Sequence, residues 1–362
     1  MNQVRIGIIG LGHIGTVHAD YLRRGEIARA TLTAVCTRTE PKLNAYRKAC
    51  TVFSRGSDLI HSGAIDAVII ATPHPDHVPT GIAALEQGLH VLVEKPLASC
   101  VADARPLVDA HQNPHCAFAI AFNLRTDPLH RTLKSLVADG RLGTLQRVSL
   151  IVTEWFRTNA YYASSSWRGR WKGEGGGMLI NQYAHHLDLL QWICGMPVRL
   201  RAVCAFGKHH PIEVEDEATA YLEWENGATG VFVGSTGEAP GTNRFEIVGD
   251  LGTAILEKGR LTLFQNSLSA NEFGKTSSDL MAKPDCRTID LTPPETGSRP
   301  QNLTQNFVDA ILDGTPLIAP AEDGLQSLGL ANAMIQSSVT DQTVALPLEP
   351  DEYLALLKGL RK

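Results

Sequence analysis

The stretch VRIGIIGLGHIG, residues 4–15, decides the fold of the first third of the chain. The run Val4–Gly10 is rich in β-branched residues and ends in glycine, which is typical of a strand buried on both faces. Glycines follow in the pattern GLGHIG, and residues 14–23 have helical periodicity. This order is that of a dinucleotide fingerprint, because glycines let a pyrophosphate approach the helix N-terminus closely. The residues expected to contact the dinucleotide here are Gly10, Gly12, His13, Ile14 and Gly15.

Strands and helices continue to alternate up to residue 122. Further strands are predicted at Leu32–Thr37, Ala67–Thr72, His90–Lys95 and Ala117–Phe122, with a helix at His77–Gln87. This alternation predicts an α/β fold with a Rossmann doubly wound parallel sheet. The length of 362 residues suits two domains. We expect a dinucleotide-binding Rossmann domain at residues 1–122 and a substrate-binding and oligomerisation α+β domain at residues 123–362.

The second part of the chain is rich in strands. The strand-bearing segments are Leu145–Trp155, Ala218–Ser235 and Arg244–Phe264, and helices are predicted at Leu303–Leu312 and Glu322–Ser337. The pair Asn226-Gly227 between alternating runs is a strong hairpin signal. We therefore expect a large, mostly antiparallel open sheet in this domain.

Composition excludes several classes of partner. The net charge is −5 and the sequence pI is about 6.2, with no long run of basic residues, so neither nucleic acid nor a membrane surface is an expected partner. Seven scattered cysteines without CxxC pairs indicate no disulfide framework and no metal site, and favour a reducing cytoplasm. The apolar N-terminus is too short to span a bilayer and lacks a cleavage site, so it is expected to belong to the fold.

The choice between NAD and NADP depends on the end of the second predicted strand. That position normally carries an acid that binds the ribose hydroxyls of NAD, whereas this chain has Thr37 followed by Arg38. The missing carboxylate removes repulsion toward a 2′-phosphate, and a guanidinium can pair with it. NADP is therefore favoured slightly. The alternative is an exposed loop arginine, with NAD held by Thr37 and backbone groups.

Four segments give the chain a resemblance to the Gfo/Idh/MocA family of sugar and cyclitol oxidoreductases. They are GLGHIG, ATPHPDH at residues 71–77, VEKP at residues 93–96, and GGGMLINQYAHHLDLL at residues 175–190. The resemblance covers nearly the whole length. It implies that Lys95 lies beside the nicotinamide and the substrate hydroxyl, which agrees with its place at the carboxyl end of a parallel strand. The same motifs imply cofactor contacts for Thr72, Pro73, His77 and Glu94, whereas His74 replaces the usual Asn.

The two adjacent histidines are separated by helical periodicity. On a helix, Asn181, His185, Asp188 and Trp192 fall within an arc of about 60°, opposite an apolar face that includes His186. We therefore predict that His185 is catalytic and that His186 packs, and the resemblance implies the same catalytic position. The alternative is a polar face that simply meets water. The acid of the family motif is Asn181 here, which can form hydrogen bonds but supplies no charge, so deprotonation is expected to depend more on Lys95.

Residues 155–177 form a loop dense in aromatic and basic groups, which suits a carbohydrate because sugars offer C–H faces to rings and hydroxyls to charged groups. The alternative is an ordinary loop cluster or an oligomer contact. The resemblance implies that Asn123 and Arg125, in the segment NLRTDP, face the active-site cleft. The full set of predicted substrate-contacting residues is Lys95, Asn123, Arg125, Arg157, Tyr161, Trp167, Asn181 and His185. The resemblance implies that Trp167 and Arg168 also touch the cofactor.

These observations predict an NAD(P)-dependent dehydrogenase or reductase. It would transfer a hydride between nicotinamide and a secondary hydroxyl or ketone of a sugar, sugar derivative or inositol. Two alternatives are a lyase or glycosidase that uses a tightly bound NAD transiently, and a non-catalytic dinucleotide sensor. The expected partners are a small carbohydrate or cyclitol and further copies of the chain, as a homodimer or homotetramer formed through the C-terminal sheet.

Overall fold

The computed structural model describes residues 2–295 and 297–362. The strands are β1 (Val4–Ile9), β2 (Ala30–Cys36), β3 (Thr51–Phe53), β4 (Ala67–Ile70), β5 (His90–Val93), β6 (Phe118–Ile120), β7 (Leu145–Val152), β8 (Arg199–Phe206), β9 (Glu215–Glu223), β10 (Thr229–Ser235), β11 (Asn243–Gly249), β12 (Gly252–Glu257), β13 (Arg260–Asn266), β14 (Cys286–Asp290) and β15 (Val344–Ala345). The helices are α1 (His13–Arg23), α2 (Glu40–Asn44), α3 (Gly56–Ile60), α4 (His77–Glu86), α5 (Val101–Asp109), α6 (Pro128–Ala138), α7 (Asn159–Ala163), α8 (Ala184–Cys194), α9 (Ala270–Thr276), α10 (Pro300–Asp313), α11 (Asp323–Thr340) and α12 (Pro350–Leu360).

The chain divides into two compact units. The first contains the residues up to Thr126 together with Ser298–Leu328, and the second contains Asp127–Gly297 and Gly329–Lys362. The first change of unit lies close to the expected boundary at residue 122. The return of Ser298–Leu328 to the first unit is a difference from the continuous second domain expected from the sequence. The division of roles between the two parts stays a prediction.

The first unit is built on a parallel sheet with the strand order β3-β2-β1-β4-β5-β6. This confirms the predicted doubly wound fold. Strand β1 is buried as expected, since Val4, Ile6 and Ile8 have no exposed surface. Helix α10 contributes Leu303, Phe307 and Val308 to the same apolar core. Burial of these side chains explains why the returning segment belongs to this unit.

The second unit is built on a nine-stranded sheet with the order β14-β13-β12-β11-β7-β10-β9-β8-β15. Its strand pairs are antiparallel except for β7 and β10, so the predicted mostly antiparallel sheet is confirmed. Glu223 pairs with Thr229 across the predicted hairpin, where Gly227 has a φ of +85°. Helix α6 packs on α8 and on β12 and β13. Among the described residues, none of the helices is both long and apolar enough to cross a membrane.

Candidate active site

The glycine loop of the first unit connects β1 to α1. Gly10 has a φ of +98°, and a Cβ there would lie 2.5 Å from the carbonyl oxygen of Ala71. A Cβ on Gly15 would lie 1.9 Å from the carbonyl oxygen of Gly10, so both positions require glycine. At Gly12, by contrast, a Cβ would meet no atom within 4 Å. The open space beside Gly12, at the N-terminus of α1, fits the close approach of a pyrophosphate.

Two cations lie near the end of β2 and the glycine loop. Arg38 is exposed and follows the half-buried Thr37 directly. Lys42 donates a hydrogen bond from Nζ to the carbonyl oxygen of Leu11, at 2.6 Å, inside the glycine loop. Lys42 was not predicted from the sequence, where its only signal was its spacing of four residues from Arg38. Together these residues give this edge of the sheet a positive charge.

His77 links the segments that follow β4 and β5 by hydrogen bonds. It is 1% exposed, and its two ring nitrogens lie 2.8 Å from the carbonyl oxygens of Pro96 and Thr72. Carbonyls only accept hydrogen bonds, so the neutral ring donates to one of them and the protonated ring to both. Burial is the largest effect on His77 and lowers its pKa. The ring therefore holds both segments in place, and a direct cofactor contact by His77 stays a prediction.

Thr72 and Pro73 lie at the same edge of the sheet. Pro73 immediately precedes the 3₁₀ turn His74–Asp76, and His74 is itself buried, with its ring 5.9 Å from that of His77. The buried hydroxyl of Thr72 has no hydrogen-bond partner among the described residues. A buried polar atom of this kind is expected to meet a polar group of a ligand. This observation also fits a dinucleotide at the carboxyl ends of the strands.

β5 ends at Val93, two residues earlier than predicted, so Lys95 lies just beyond the carboxyl end of the strand, where it is partly buried. Its neighbour Glu94 accepts a hydrogen bond from Nε2 of His18, on α1, at 2.9 Å. The other ring nitrogen of His18 contacts the hydroxyl of Tyr21, which lies 2.8 Å from the hydroxyl of Thr304. Glu94 is thus tied to the core through side chains, and a role in placing the Lys95 loop follows from this geometry.

Asn123 and Arg125 lie in the 3₁₀ turn Asn123–Thr126 after β6. Arg125 is 1% exposed, pairs with Asp323 at 2.6 Å and donates to the carbonyl oxygen of Ile318 at 3.1 Å. A buried guanidinium held in this way supports the fold, because breaking a buried ion pair is costly. This corrects the expectation that Arg125 faces a substrate cleft. Asn123 is partly exposed and donates to the hydroxyl of Ser298 at 3.3 Å, so it remains a candidate.

The histidine segment of the second unit differs from the sequence prediction at its start. Helix α8 begins at Ala184, so the glycines and Asn181 precede it. Asn181 is held in a turn by a hydrogen bond from its backbone N–H to the carbonyl oxygen of Gly177, at 3.1 Å. The predicted polar face is also wrong at Asp188, which is fully buried and accepts a hydrogen bond from Gln191.

The two histidines lie in different surroundings, as predicted. His185 is partly exposed in the first turn of α8. His186 is 4% exposed, and its ring packs edge-on against Trp155 and Tyr183 at centroid distances of 5.5 and 5.7 Å. The prediction that His186 packs is confirmed. The catalytic role of His185 stays a prediction.

Two buried acids that the sequence analysis missed hold the segment before α8. Glu174 is 2% exposed, and its Oε1 accepts a hydrogen bond from Nδ2 of Asn181 at 2.5 Å. Glu215, on β9, accepts hydrogen bonds from the backbone N–H groups of Gly177 and Leu179 at 2.9 and 3.1 Å. Burial raises the pKa of the Glu215 carboxyl to about 7. The only sequence signal for Glu174 was its place directly before the three glycines.

The aromatic and basic loop forms a stack of alternating rings and guanidinium groups, which we call the arginine–aromatic stack. Its members are Trp155, Arg157, Tyr161, Arg168 and Trp167. The Arg168 guanidinium lies 4.5 Å from the centroids of both neighbouring rings. Weakly hydrated guanidinium groups stack well on aromatic faces, and rings hold Arg157 and Arg168 here, with no carboxylate paired to either among the described residues.

The stack is joined to the histidine segment. The hydroxyl of Tyr161 accepts hydrogen bonds from Arg168 at 2.6 Å and from the buried Gln182 at 3.1 Å. The second unit therefore brings Asn181 and its neighbour Gln182 together with Tyr161 and Arg168.

A cavity of about 620 Å³ borders Trp167 and carries four basic side chains. They are Arg170, Lys172, Arg361 and Lys362.

Comparison with known proteins agrees with this architecture. Residues 4–122 match the family model described as "Oxidoreductase family, NAD-binding Rossmann fold", and residues 130–255 match the model described as "GFO/IDH/MocA C-terminal domain". The chain is 30% identical to the uncharacterized oxidoreductase YdgJ of Escherichia coli over 55% of its own length. It is also 30% identical to inositol 2-dehydrogenase of Rubrobacter xylanophilus over 52% of its own length. It spans about half the length of these curated relatives, 56% and 52% respectively.

A solved structure extends the likeness over nearly the whole chain. The WlbA dehydrogenase from Bordetella pertussis, in complex with NADH and UDP-GlcNAcA, has a TM-score of 0.78 and 25% identity. The alignment covers 96% of this chain and 100% of that protein. The two family models match the glycine loop, the Lys95 segment and the segment of both histidines. This chain therefore belongs to the Gfo/Idh/MocA oxidoreductase family and carries that family's NAD-binding Rossmann fold.

Proposed function

We propose that this protein is a nicotinamide-dependent dehydrogenase or reductase of a sugar, a sugar derivative or an inositol. The observation that carries the proposal is the position of Lys95, which follows β5 in the same unit as the glycine loop and beside the anchored Glu94. Ligands of open α/β sheets bind at the carboxyl ends of the strands. When bound, the nicotinamide accepts or supplies a hydride. A relative named inositol 2-dehydrogenase and a related dehydrogenase solved in complex with UDP-GlcNAcA support the substrate class.

Lys95 is the group proposed to move the proton of the reacting hydroxyl. A lysine that is partly desolvated loses its proton more readily than one in water, and its neutral amine can then accept the proton of the hydroxyl. In the direction of ketone reduction the same group returns the proton. His185 and Asn181 are proposed to orient the reacting hydroxyl by hydrogen bonds.

The arginine–aromatic stack is proposed to recognise the substrate. Rings of Tyr161 and Trp167 offer apolar faces to sugar C–H groups, and the guanidinium groups of Arg157 and Arg168 can bind hydroxyls or an acidic group. Trp167 and Arg168 are also proposed to contact the cofactor. The lining of the neighbouring cavity contains four basic side chains and the acid Glu213, which pairs with Arg170, and it is compatible with a sugar acid or a sugar phosphate as well as a neutral sugar.

NADP is the proposed preferred cofactor. Thr37 replaces an acid that would repel a 2′-phosphate, Arg38 is exposed beside it, and Lys42 adds a second cation at the glycine loop. NAD is the alternative, because the related WlbA dehydrogenase holds NADH. The ratio of kcat/KM for NADP and NAD decides between them.

The protein is proposed to form a homodimer or homotetramer through one face of the nine-stranded sheet. On that face Tyr221 is paired with Val231 in register, and Val203 lies nearby on β8. Their relative exposures are 44%, 37% and 68%, which is unusual for apolar side chains in the middle of a sheet. We call these three residues the sheet-face patch.

A cytoplasmic location is proposed as well, because the seven cysteines form no disulfide within the described residues.

The test is nicotinamide absorbance at 340 nm with NAD and NADP in separate wells. The substrate panel contains neutral sugars, anhydrosugars, sugar acids, nucleotide-linked sugars and inositols. A change in absorbance with one of these classes is the expected result. Dinucleotide binding without a change in any well would contradict the proposal and would favour a lyase or glycosidase that regenerates its bound cofactor.

A further inference from the structure

Asn181, which is partly exposed, is paired with the buried Glu174, and an ionised carboxylate at that position fixes the orientation of the Asn181 amide. Glu174 Oε1 lies 2.5 Å from Asn181 Nδ2, and Glu174 Oε2 accepts a hydrogen bond from the backbone N–H of Gly169 at 2.8 Å. A carboxylate only accepts hydrogen bonds, so the amide nitrogen of Asn181 must face it. The amide oxygen of Asn181, on the other branch of the side chain, faces away from Glu174.

We propose that Glu174 is a positioning residue, which fixes the amide of Asn181 so that it offers a hydrogen-bond acceptor to the reacting centre. This inference rests on the proposed function, in which Asn181 orients the substrate hydroxyl or His185. A hydroxyl that is about to lose its proton, or a ring N–H, needs an acceptor as its partner. An amide free to turn would offer its NH₂ group about as readily.

The carboxylate also strengthens that acceptor. A hydrogen bond to a charged group is stronger than one between neutral groups, and linked hydrogen bonds polarise one another in a buried site. The negative charge of Glu174 therefore increases the electron density on the amide oxygen of Asn181. In this way a carboxylate outside the contacting residues acts through a neutral amide.

The second buried acid, Glu215, has a different role. It accepts hydrogen bonds from the backbone N–H groups of Gly177 and Leu179. Glu215 therefore fixes the path of the backbone, and these contacts do not orient a side chain. Glu174 differs because one of its oxygens is directed at a side chain that can turn over.

The substitution Glu174→Gln separates orientation from stability. The side-chain carbonyl oxygen of the introduced Gln can still accept the hydrogen bond from the backbone N–H of Gly169. The NH₂ group of the same side chain then faces Asn181. The amide of Asn181 then turns its oxygen toward the Gln, which keeps a hydrogen bond between the two side chains but offers a donor to the reacting centre. We expect a folded protein with nearly unchanged affinity for NADPH or NADH, and a kcat lower by about 10- to 100-fold.

The pair can also be exchanged. Asn181→Asp alone places two carboxylates together, and like charges at this distance cannot both ionise freely, so we expect a lower unfolding temperature. In the double variant E174Q/N181D the Gln donates to the Asp, and the Asp again offers an acceptor. We expect the double variant to regain most of the unfolding temperature and much of the lost kcat. Glu217→Gln is the matched control, because Glu217 lies in the same unit and pairs with Lys208 and His209 instead.

The experiment measures kcat, KM, dinucleotide affinity by fluorescence and unfolding temperature for the parent and these four variants. The inference is overturned if E174Q keeps a kcat within about twofold of the parent, or if the double variant is no better than E174Q. A parent without turnover on any substrate would instead refute the proposed function. In that case the unfolding temperatures test the pair. An unfolding temperature of the double variant close to that of the parent supports the interaction between Glu174 and Asn181, whereas a decrease equal to the sum of the two single decreases overturns the inference.

Discussion

The carboxylate of Glu94 lies 2.9 Å from the Nε2 atom of His18, so the residue directly before Lys95 is fastened to the first helix by a side-chain hydrogen bond. Both partners are largely buried, with exposed side-chain fractions of 12% and 2%. The hydroxyl of Tyr21 contacts the other nitrogen of the same ring. The backbone that carries Lys95 is thus held at the neighbouring residue, which would keep the proposed proton acceptor in one geometry.

Removal of the Lys95 side chain should abolish most turnover and leave dinucleotide binding intact. We expect Lys95→Ala to lower kcat by about 10²- to 10⁴-fold, since it removes the proposed proton acceptor. Initial rates at 340 nm give the loss, and the fluorescence of bound NADPH or NADH gives the affinity. The exposed Lys48 provides the control, and Lys48→Ala should retain parental rates. Near-normal turnover of Lys95→Ala would refute its role.

His185 and His186 should respond differently to alanine substitution. His185→Ala is expected to reduce kcat by about 10-fold or more without loss of folding, because the side chain is partly exposed. His186→Ala should lower the free energy of unfolding by about 2 kcal/mol, because it leaves a cavity against two aromatic rings. Denaturant unfolding and steady-state rates distinguish the two. A loss confined to chemistry in His186→Ala, with His185→Ala unaffected, would reverse the assignment.

Arg38 should control the preference between dinucleotides. We expect Arg38→Ala to raise KM for NADP by about tenfold while KM for NAD changes little, because only NADP carries the phosphate that the guanidinium would pair with. Arg55, which is exposed and paired with Asp58, is the matched control for a lost surface charge. Equal effects on both cofactors would show that Arg38 does not read the 2′-phosphate.

Glu215 should make stability depend on pH. Its pKa in the folded protein is raised by burial from 4.5 to about 7, so the folded state keeps a proton that the unfolded chain has released. Its contribution to stability is therefore complete below about pH 4.5 and is lost as the pH rises to about 7. Glu215→Gln cannot titrate. As the pH rises over this range, the free energy of unfolding of the variant should therefore increase relative to that of the parent, by up to about 3 kcal/mol.

Unfolding temperatures of both proteins between pH 5 and pH 8 provide the check on Glu215. The quantity to compare is the difference between variant and parent at each pH, because other groups titrate in both. A difference that stays constant across the range would show that Glu215 does not take up a proton in the folded protein.

The sheet-face patch should be required for self-association. Val231→Glu places a charge in the patch, where its cross-strand neighbours Tyr221 and Ser149 carry none, and a buried unpaired charge at an interface is strongly unfavourable. We expect the variant to elute as a monomer in size-exclusion chromatography with light scattering, whereas the parent elutes as a dimer or tetramer. Met281→Glu alters an exposed apolar residue in the segment between α9 and β14, outside the patch, and should keep the parental mass. A parent that is monomeric at micromolar concentration would refute the proposed interface.

Most of the fold could be predicted because its signals are local. The continuous apolar strand β1, the glycines after it and the hairpin at Asn226-Gly227 each follow from a few consecutive residues. Helix α6 was missed although Asp127, which caps it by accepting from the N–H of Leu129, and Pro128 mark its start. The return of Ser298–Leu328 to the first unit has no such signal, since only its packing against a distant core determines it.

The sequence predicted which residues belong to the candidate site better than it predicted which partners those residues contact. Periodicity separated His185 from His186 correctly because both lie inside α8. It failed for Asn181, because the segment before the helix is held by Glu215, which is more than thirty residues away in sequence. Arg125 was assigned to a cleft by resemblance, and its ion pair with Asp323 joins residues too distant for any pattern to connect.

The ends of the nine-stranded sheet have a consequence for behaviour at high concentration. One end is β15, a strand of two residues followed closely by Pro347, and the other is β14, which carries Arg287 and Asp290. Short strands, proline and charge are the features by which proteins prevent a bare sheet edge from recruiting another chain. Growth of the sheet from molecule to molecule is thus blocked at both margins. Crowding should favour closed assemblies of defined size over fibrous aggregates.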